Sequence, residues 1–400
     1  MKKNVTIIGA GPCALMLGCC LDPEKFTVSI YEKNAAPGRK FLVAGDGGLN
    51  LTHSEPPAEF ITRYTPRGFL DKAFSAFNNA DLVNWFNDLG IPTFVGTSRR
   101  VFPLQNIKPI QVLNAMLDKL ETNNVKILTR YEWKGFRDGA LLFDHHNKLV
   151  QVDPEIVIFS LGGASWPVTG STGDWLDYFR EKGIMVKLFQ ASNCAVNVNW
   201  DQTFIARHAG SPLKNVAITC GKITNRGEVV LTDAGMEGGG VYPLSPAIRE
   251  ELALKGVAEV YIDMKPSLTH AAIVQKLSEA EFGNTTTRLR SVLRFSDAQV
   301  ALIKHTLTRE QFLDMNALTT AIKRFKIEVN GLGPLTEAIS TVGGISLDEI
   351  DGNFELKKMP SHYCIGEMLD YDAPTGGYLL QSCFSMGKYL SDVLNGGIFF

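Results

Sequence analysis

The chain has 400 residues, of which 45% are hydrophobic, and its 40 basic and 42 acidic residues give a formal charge of -2. A chain of this length buries a large core and is expected to form about two or three domains. Neither charge sign forms a long run, so the composition does not indicate nucleic acid or an anionic membrane as a partner, and a small-molecule substrate is expected.

The start of the chain superficially resembles a secretory signal, because Lys2 and Lys3 precede an apolar stretch that ends at residues 16–19. However, the break at residues 9–12 interrupts this stretch, and the strand at 27–31 needs the first strand beside it. No other segment reaches the roughly 18 apolar residues that span a bilayer, so no membrane partner is predicted. The seven cysteines include no Cys-x-x-Cys pair and are interpreted as reduced, mostly buried thiols of a cytoplasmic protein.

The first segment is typical of a βαβ unit, with an apolar strand at residues 5–8, a helix at 12–21 and a second strand at 27–31. The motif Gly9-x-Gly11-x-x-Ala14 connects the first strand to the helix. In this motif Gly9 makes the tight turn, Gly11 admits a pyrophosphate close to the backbone, and Ala14 permits close helix-strand packing. The start of the helix then faces the phosphates.

Glu32 ends the second strand of this unit. A carboxylate at this position accepts hydrogen bonds from both ribose hydroxyls of an adenosine but repels a 2'-phosphate. The sequence therefore favours FAD or NAD over NADP, and the alternative is an ordinary strand-helix turn without a ligand.

Helical spacing follows at residues 71–89 and 110–121, and an apolar strand at 155–160 runs into Gly162-Gly163. After about residue 190 the pattern changes to short alternating runs that predict an antiparallel sheet or small barrel. Three helices are predicted at the end of this region, at residues 270–281, 297–305 and 309–322. Ser296 is the predicted N-cap of the second helix and Thr308 that of the third.

The end of the chain returns to an apolar strand at 363–365, a loop at Gly366-Glu367, and a helix from Gly376-Gly377 to about residue 394. A flavin is long enough to need such a second segment, and this distinguishes FAD from NAD. Gly366 permits close approach to the cofactor, and Gly376-Gly377 aims helix amides at the flavin N1 and C2 carbonyl, where negative charge gathers on reduction. Taken alone, these glycines are equally explained as a loop and a helix cap.

The predicted fold class is α/β, with a glutathione-reductase-like FAD-binding Rossmann domain in two segments. These segments are residues 1–190 and 336–400, and the inserted β-barrel-like domain covers 191–335 with a small helical cap at about 265–322.

Longer motifs resemble the YhiN-like bacterial FAD-binding flavoproteins, also described as BaiN/RdsA-type or aminoacetone-oxidase-type, over nearly the whole chain. The motifs are Gly38-Arg39-Lys40-Phe41-Leu42, Asn50-Leu51-Thr52, Leu161-Gly162-Gly163-Ala164-Ser165-Trp166-Pro167, Gly170-Ser171-Thr172-Gly173-Asp174, Thr341-Val342-Gly343-Gly344-Ile345-Ser346, Gly366-Glu367 and Pro374-Thr375-Gly376-Gly377-Tyr378. Most relatives carry Gly-Gly-Gly-Arg-Cys-Asn where this chain has Asp46-Gly47-Gly48-Leu49-Asn50. The absent Arg-Cys pair indicates a divergent subgroup.

The resemblance implies FAD contacts along the chain, at Gly9, Gly11, Ala14, Glu32, Lys33, Lys40, Asn50, Thr52, Gly162, Gly366, Glu367 and Gly377, with the backbone of Trp133 near the adenine. The predicted site is completed by the neighbouring residues Pro12, Arg39, Leu51, Gly163, Gly376 and Tyr378.

The catalytic residue is not identified by the sequence, and His53, Arg99 and Arg100 are weak candidates. His53 ends the Gly-rich segment at residues 44–53 and is either an acid or base near the flavin or a structural hydrogen-bonding group. Arg99 and Arg100 are either substrate-binding cations or an exposed surface pair. The pair at residues 145–146 lacks a third ligand, so no metal is predicted, and residues 235–240 are either an active-site lid or a surface turn.

The sequence thus predicts an FAD-dependent oxidoreductase that exchanges a hydride between flavin N5 and a small organic substrate. Because a single dinucleotide motif is present, NAD(P)H as reductant would bind transiently at the flavin. One alternative, implied by the resemblance, is reduction of a ribosomal RNA uridine, although the near-neutral charge argues against RNA. Another is a non-catalytic FAD-binding redox sensor. The substrate and oligomeric state stay open.

Overall fold

The structure is a computed structural model that describes residues 1–44, 48–280 and 283–397. The chain divides into two compact units. Unit 1 consists of Met1–Gln190 and Ser340–Phe400, and unit 2 consists of Ala191–Ile339. Gly45, Asp46 and Gly47 of the Gly-rich segment, and Glu281 at the end of a predicted helix, lie outside the described residues.

The first part of the chain contains strands and helices of the nucleotide-binding unit. The strands are β1 (Lys3–Ile8), β2 (Phe26–Glu32), β3 (Thr52–His53), β4 (Thr93–Val95), β5 (Arg100–Pro103), β6 (Lys126–Thr129), β7 (Tyr131–Arg137), β8 (Ala140–His145), β9 (Lys148–Val152), β10 (Ile156–Phe159) and β11 (Val186–Ser192). The helices are α1 (Pro12–Cys20), α2 (Arg39–Ala44), α3 (Pro57–Phe60), α4 (Asp71–Ala76), α5 (Asn79–Asp88), α6 (Pro109–Thr122) and α7 (Leu176–Arg180).

The remaining elements belong to the inserted region and to the chain's return to unit 1. The inserted strands are β12 (Val196–Val198), β13 (Pro212–Cys220), β14 (Ile223–Thr232), β15 (Gly235–Glu237), β16 (Ala258–Asp263) and β17 (Phe325–Leu332). The inserted helices are α8 (Gln202–His208), α9 (Ser245–Lys255), α10 (His270–Ser278), α11 (Thr285–Ser291), α12 (Asp297–Thr306), α13 (Arg309–Leu313) and α14 (Met315–Lys323). The returning elements are β18 (Ser340–Ile345), β19 (His362–Cys364) and α15 (Tyr378–Leu394).

Unit 1 is built on a parallel sheet with strand order β19-β10-β1-β2-β6. Ile7 in β1 lies opposite Ile30 in β2 and Ile158 in β10, and all three side chains are fully buried. Strands covered on both faces are apolar throughout, which explains why β10 is a continuous apolar run. Since β19 comes from the second chain segment, the sheet is complete only when both segments fold together.

Helices α1 and α15 pack against each other, although one lies at each end of the sequence. A Cβ atom on Gly387 of α15 would lie 2.5 Å from the carbonyl oxygen of Cys13 in α1. Gly387 therefore permits a close approach of the two helix backbones, and this contact also joins the two segments.

The predicted helix at residues 71–89 is two helices, α4 and α5. Phe77 leaves the helical conformation, and Asn78 begins α5 by accepting hydrogen bonds from the amides of Ala80 and Asp81. The apolar spacing continues across this break, which is why the pattern predicted a single helix.

Unit 2 contains a closed barrel in which the strands follow the order β12-β15-β14-β13-β16-β17. Its helical cap includes α12 and α13, whose predicted N-caps Ser296 and Thr308 each form a capping box. The predicted third helix is divided at Asp314, which ends α13 and caps α14. Three consecutive threonines, which disfavour a helix prediction, begin α11 behind the cap Asn284.

Residues 235–237 were interpreted as part of a lid or surface turn, but they form β15 of the barrel. A Cβ on Gly235 would lie 2.8 Å from the amide nitrogen of Val198, so glycine permits close strand contact here. The predicted fold class, a Rossmann-type parallel sheet with an inserted barrel and helical cap, is confirmed. In the part of the chain that the structure describes, no helix is both long and apolar enough to cross a membrane.

Candidate functional site

A cleft in unit 1 lies at the carboxyl ends of β1, β2, β10 and β19. Ligands of open parallel sheets bind at this edge because the connecting loops diverge there. Many of the predicted cofactor-binding residues line it, namely Gly9, Gly11, Pro12, Glu32, Lys33, Arg39, Lys40, Trp133, Gly162, Gly366 and Glu367. The other predicted residues lie outside this lining, namely Ala14, Asn50, Leu51, Thr52, Gly163, Gly376, Gly377 and Tyr378.

The turn between β1 and α1 leaves space beside its backbone. Gly9 has a φ of 94°, and a Cβ there would collide with the carbonyl oxygen of Ser160. By contrast, a Cβ on Gly11 would meet no heavy atom within 4 Å. Helix α1 begins at Pro12, without a side-chain cap on its free amides. Ala14 is fully buried, in agreement with the packing role predicted for it.

Glu32 is held at the end of β2 by hydrogen bonds to its carboxylate. One oxygen, Oε2, accepts from the Ala10 amide at 3.0 Å. The other, Oε1, accepts from the amide and the side chain of Asn34 at 2.8 and 2.7 Å. Arg39 in turn donates to Asn34 Oδ1 at 3.1 Å, and Lys33 donates to Thr172 Oγ1 at 3.2 Å. The carboxylate is therefore fixed in orientation toward the cleft that it lines, and Asn34 is a site residue that the sequence analysis missed.

Lys40 and Glu367 connect the two chain segments within the cleft. Lys40 Nζ lies 2.8 Å from Glu367 Oε2 and donates a further bond to Ser165 Oγ at 2.9 Å. Glu367 Oε1 accepts from the Thr341 amide at 3.2 Å. A Cβ on Gly163 would collide with Thr341 Oγ1 and lie 3.0 Å from the Glu367 carboxyl carbon. Gly163 thus makes room for this network and does not itself line the cleft.

Two tryptophans line the cleft with unsatisfied indole groups. The Nε1 atoms of Trp133 and Trp175 are buried and have no hydrogen-bond partner among the described residues. Both rings contact Phe179, with centroids 5.6 Å away in each case. Since neither Nε1 atom is accessible from the open cleft, other atoms of the two side chains line it. Trp175 was not predicted, although it directly follows the motif at residues 170–174, several residues of which also line the cleft.

Several of the predicted residues outside the lining lie together at the start of α15. With the catalytic candidates His53 and Arg100 they form a group that we call the α15 cluster, which comprises Thr52, His53, Arg100, Gly376, Gly377 and Tyr378. Gly377 has a φ of 99°, and a Cβ there would lie 2.6 Å from the Thr52 Cα atom. The strand pairing of β3 with β5 places His53 opposite Arg100. The helix reaches the cleft further along, where Cys383 contributes to the lining. Asn50 and Leu51 precede this cluster, and the amide of Leu51 donates to Val101 at 2.8 Å.

The His53 ring is held by local hydrogen bonds. Its Nδ1 accepts from the Glu55 amide at 3.2 Å, the ring also bonds to the Ser98 backbone, and it stacks on Tyr378 with centroids 5.3 Å apart. The pKa of His53 lies below its usual value, mainly because burial disfavours the charged form. The interactions support the structural interpretation of this residue over proton transfer.

Glu55 is the buried carboxylate of the same region. Arg63 donates two hydrogen bonds to it, at 3.0 and 2.8 Å, and the Tyr378 hydroxyl donates one at 2.6 Å. Burial tends to raise the pKa of Glu55, but the bonds from Arg63 and Tyr378 outweigh burial and keep the pKa below its usual value. No sequence pattern predicted this triad. Arg99 lies outside it, with an exposed side chain and a φ of 60°.

The parallel sheet, the Gly-rich turn and the acidic residue at the end of β2 define a flavoprotein oxidoreductase that uses FAD. The HI0933-like protein Rossmann domain matches residues 3–392, and the chain belongs to this family. This match confirms the resemblance found in the motifs.

The relatives include proteins named for reductive chemistry. The chain is 22% identical to the ribosomal RNA dihydrouridine synthase of Escherichia coli strain K12, with 96% of each chain covered. It is also 22% identical to the 3-dehydro-bile acid delta(4,6)-reductase of Clostridium scindens, covering 96% of this chain and 97% of the relative. Among solved structures, the 3-ketosteroid-delta4-(5alpha)-dehydrogenase of Rhodococcus jostii RHA1 is 12% identical with a TM-score of 0.49, over 98% of this chain and 96% of that one.

Proposed function

We propose that this protein reduces a carbon-carbon double bond conjugated to a carbonyl group, with FAD bound in the cleft of unit 1. The cleft carries the cofactor part of the proposal, because it gathers backbone and side-chain groups from both chain segments around an open space. The open side of Gly11 leaves room for a phosphate against the backbone, and Trp133 and Trp175 line the same cleft.

Each part of FAD has suitable groups in this arrangement. The amides at Gly11 and the start of α1 would hold the pyrophosphate, and Glu32 would accept hydrogen bonds from the ribose. The indoles of Trp133 and Trp175 would lie toward the adenosine end, and the start of α15 at Gly377 would face the flavin ring. When bound and reduced, FAD supplies a hydride.

The substrate class comes from the chemistry in the names of two relatives. Dihydrouridine is uridine with its conjugated ring double bond saturated, and a delta(4,6)-reductase acting on a 3-dehydro compound saturates double bonds conjugated to a 3-oxo group. Both reactions add a hydride and a proton across an electron-poor alkene. A shared reaction class on two different substrates favours this chemistry for the present chain.

Two substrate types follow from these names. A small conjugated carbonyl compound is the first candidate, in keeping with the formal charge of -2 for the chain. Uridine in ribosomal RNA is the second, and it is favoured by the names of the relatives from Escherichia coli and Haemophilus influenzae. NAD(P)H is proposed as the electron source.

The direct test is anaerobic reduction of the purified flavoprotein followed by addition of a substrate. NADH and NADPH are compared for bleaching of the flavin absorbance, and dithionite serves as a control reductant. We then expect a 3-oxo-4-ene steroid, a cyclic enone or a uridine-containing RNA fragment to restore the absorbance and gain two hydrogens by mass. Purified protein that contains no FAD and binds none would contradict the proposal, as would a reduced flavin that none of these compounds reoxidises.

Glu32→Gln tests the proposed ribose contact separately. Loss of a hydrogen bond to a charged group costs about 1.5–3 kcal/mol, so the dissociation constant for FAD should rise roughly 10- to 100-fold. Glu24→Gln, an exposed position on the same unit, is the matched control and should leave the FAD affinity unchanged. Equal affinities for both variants would remove Glu32 from the site.

A further inference from the structure

Arg100 lies beside the start of α15 with an unused guanidinium group. Its Nε atom is 3.4 Å from the position that a Cβ on Gly376 would take. The residue is partly buried. Across residues 1–44, 48–280 and 283–397, its guanidinium has neither an ion pair nor a hydrogen bond. None of its nitrogens is buried, so the unpaired guanidinium can contact a ligand bound beside α15.

The nearby carboxylate of Glu55 does not neutralise Arg100. Both oxygens of Glu55 are occupied, by the two hydrogen bonds from Arg63 and the one from the Tyr378 hydroxyl. His53, opposite Arg100 in the strand pair, is disfavoured as a cation by burial. The positive charge of Arg100 is therefore available to a bound group.

Thr52 in β3 lies against the start of α15 through its backbone. Its side chain is fully buried, and its Oγ1 atom has no hydrogen-bond partner in the described part of the chain. A Cβ on Gly377 would lie 2.6 Å from both the Cα and carbonyl carbon of Thr52, so the Thr52 backbone lies directly against the helix start.

Helix α15 adds its own partial positive charge. It runs for 17 residues, and its N-cap Gly377 provides no side-chain cap, so the first amides lack an intrahelical acceptor. The helix amides and the Arg100 guanidinium are two kinds of donor at the start of α15. Such a set is suited to a group that carries negative charge.

We infer that Arg100 faces the pyrimidine edge of the flavin and stabilises the negative charge which that edge gains when the cofactor is reduced. The inference rests on the proposed function, which places this edge at the start of α15. Two-electron reduction adds a hydride at N5 and leaves a negative charge at N1 and the C2 carbonyl, and no proton is needed there if a cation is adjacent. Arg100 thereby raises the reduction potential of the bound cofactor.

Sulfite binding and potentiometry test this role without using turnover. Sulfite adds to N5 of oxidised flavin and leaves the same negative charge at N1, so its dissociation constant reports on the cation. For Arg100→Gln and Arg100→Met, loaded with excess FAD, we expect the sulfite dissociation constant to rise at least about tenfold. A tenfold change in a two-electron equilibrium corresponds to about 30 mV, so the reduction potential should fall by that amount or more. Arg67→Gln removes an exposed positive charge from the same unit and should match the wild type.

The outcomes separate the inference from the proposed function. A wild-type protein that takes up no FAD would overturn the proposed function. A wild type that binds FAD, with both Arg100 variants equal to it in sulfite affinity and potential, would overturn the inference alone. If neither Arg100 variant folds while Arg67→Gln does, Arg100 is a structural residue and the inference is wrong.

Discussion

Lys40 Nζ lies 2.8 Å from Oε2 of Glu367, and this ion pair joins the two chain segments that build unit 1. Only 9% of the Glu367 side chain is exposed, whereas 27% of the Lys40 side chain is. The second carboxylate oxygen of Glu367 accepts from the Thr341 amide, so the carboxylate is fixed from two sides. A cleft residue from one end of the chain thus depends on a partner from the other.

Replacing Lys40 with methionine is expected to destabilise unit 1. The change leaves the Glu367 carboxylate nearly buried with the Thr341 amide as its remaining partner, which should lower the free energy of unfolding by about 1–3 kcal/mol. Urea unfolding of the apoprotein measures this difference. Arg180→Met, which breaks the exposed pair with Asp177, should cost less than about 1 kcal/mol. Similar losses for the two variants would show that the Lys40 pair is no more important than a surface pair.

Alanine at Gly377 should disturb the start of α15. The residue has a φ of 99°, and the added Cβ would lie 2.6 Å from the Thr52 backbone, so the helix or β3 must move. We expect weaker FAD binding and a loss of stability beyond the roughly 1–2 kcal/mol for a left-handed residue alone.

Gly396→Ala is the matched control for this change. Gly396 has a φ of 82°, but a Cβ there would meet nothing within 4 Å. In thermal unfolding this variant should lose only the stability that a non-glycine residue costs in the left-handed conformation. In an FAD titration its affinity should equal that of the wild type. If the two alanine variants lose equal stability and affinity, the contact between Gly377 and Thr52 has no special importance.

Protonation of His53 and His362 should weaken the fold in mild acid. Burial is the main reason that the pKa of each imidazole lies below its usual value of about 6.5. Below about pH 6.5 the unfolded chain therefore binds more protons than the folded chain. The stability is retained above this pH and falls as the pH drops toward the folded-state pKa values. Chemical unfolding measured from about pH 8 to about pH 5 brackets the usual histidine pKa. Over this range the free energy of unfolding should decline less for His53→Gln and His362→Gln than for the wild type. His270→Gln, at an exposed position, should keep the wild-type slope.

FAD binding should quench the fluorescence of the cleft tryptophans. Trp133 and Trp175 line the cleft, so a cofactor bound there would lie close to both side chains. Titrating apoprotein with FAD should quench the emission, and replacing both residues with phenylalanine should remove most of the quenched component. Trp200→Phe lies in unit 2, where the indole donates to Gly235, and should leave that component intact. Unchanged quenching in the double variant would place the adenosine elsewhere.

Features encoded in a few neighbouring residues were predictable from the sequence. The turn at Gly9 and Gly11, the position of Glu32 at the end of β2, and the caps Ser296 and Thr308 each depend on local spacing and backbone preference. The break between α4 and α5 was missed, because apolar periodicity continues across Phe77 while the Asn78 cap is a weaker local signal.

Contacts between distant residues required the folded structure. The sequence by itself determined the class of fold and the parts of a nucleotide-binding site, because glycine conformation, strand pattern and helix caps act over a few residues. The tertiary structure alone decided that Lys40 meets Glu367, that Trp175 joins the cleft, and that Arg100 lies beside Gly376. Packing of the sheet and of α15 sets these distances, and residues far apart in sequence carry no local signal of where they meet.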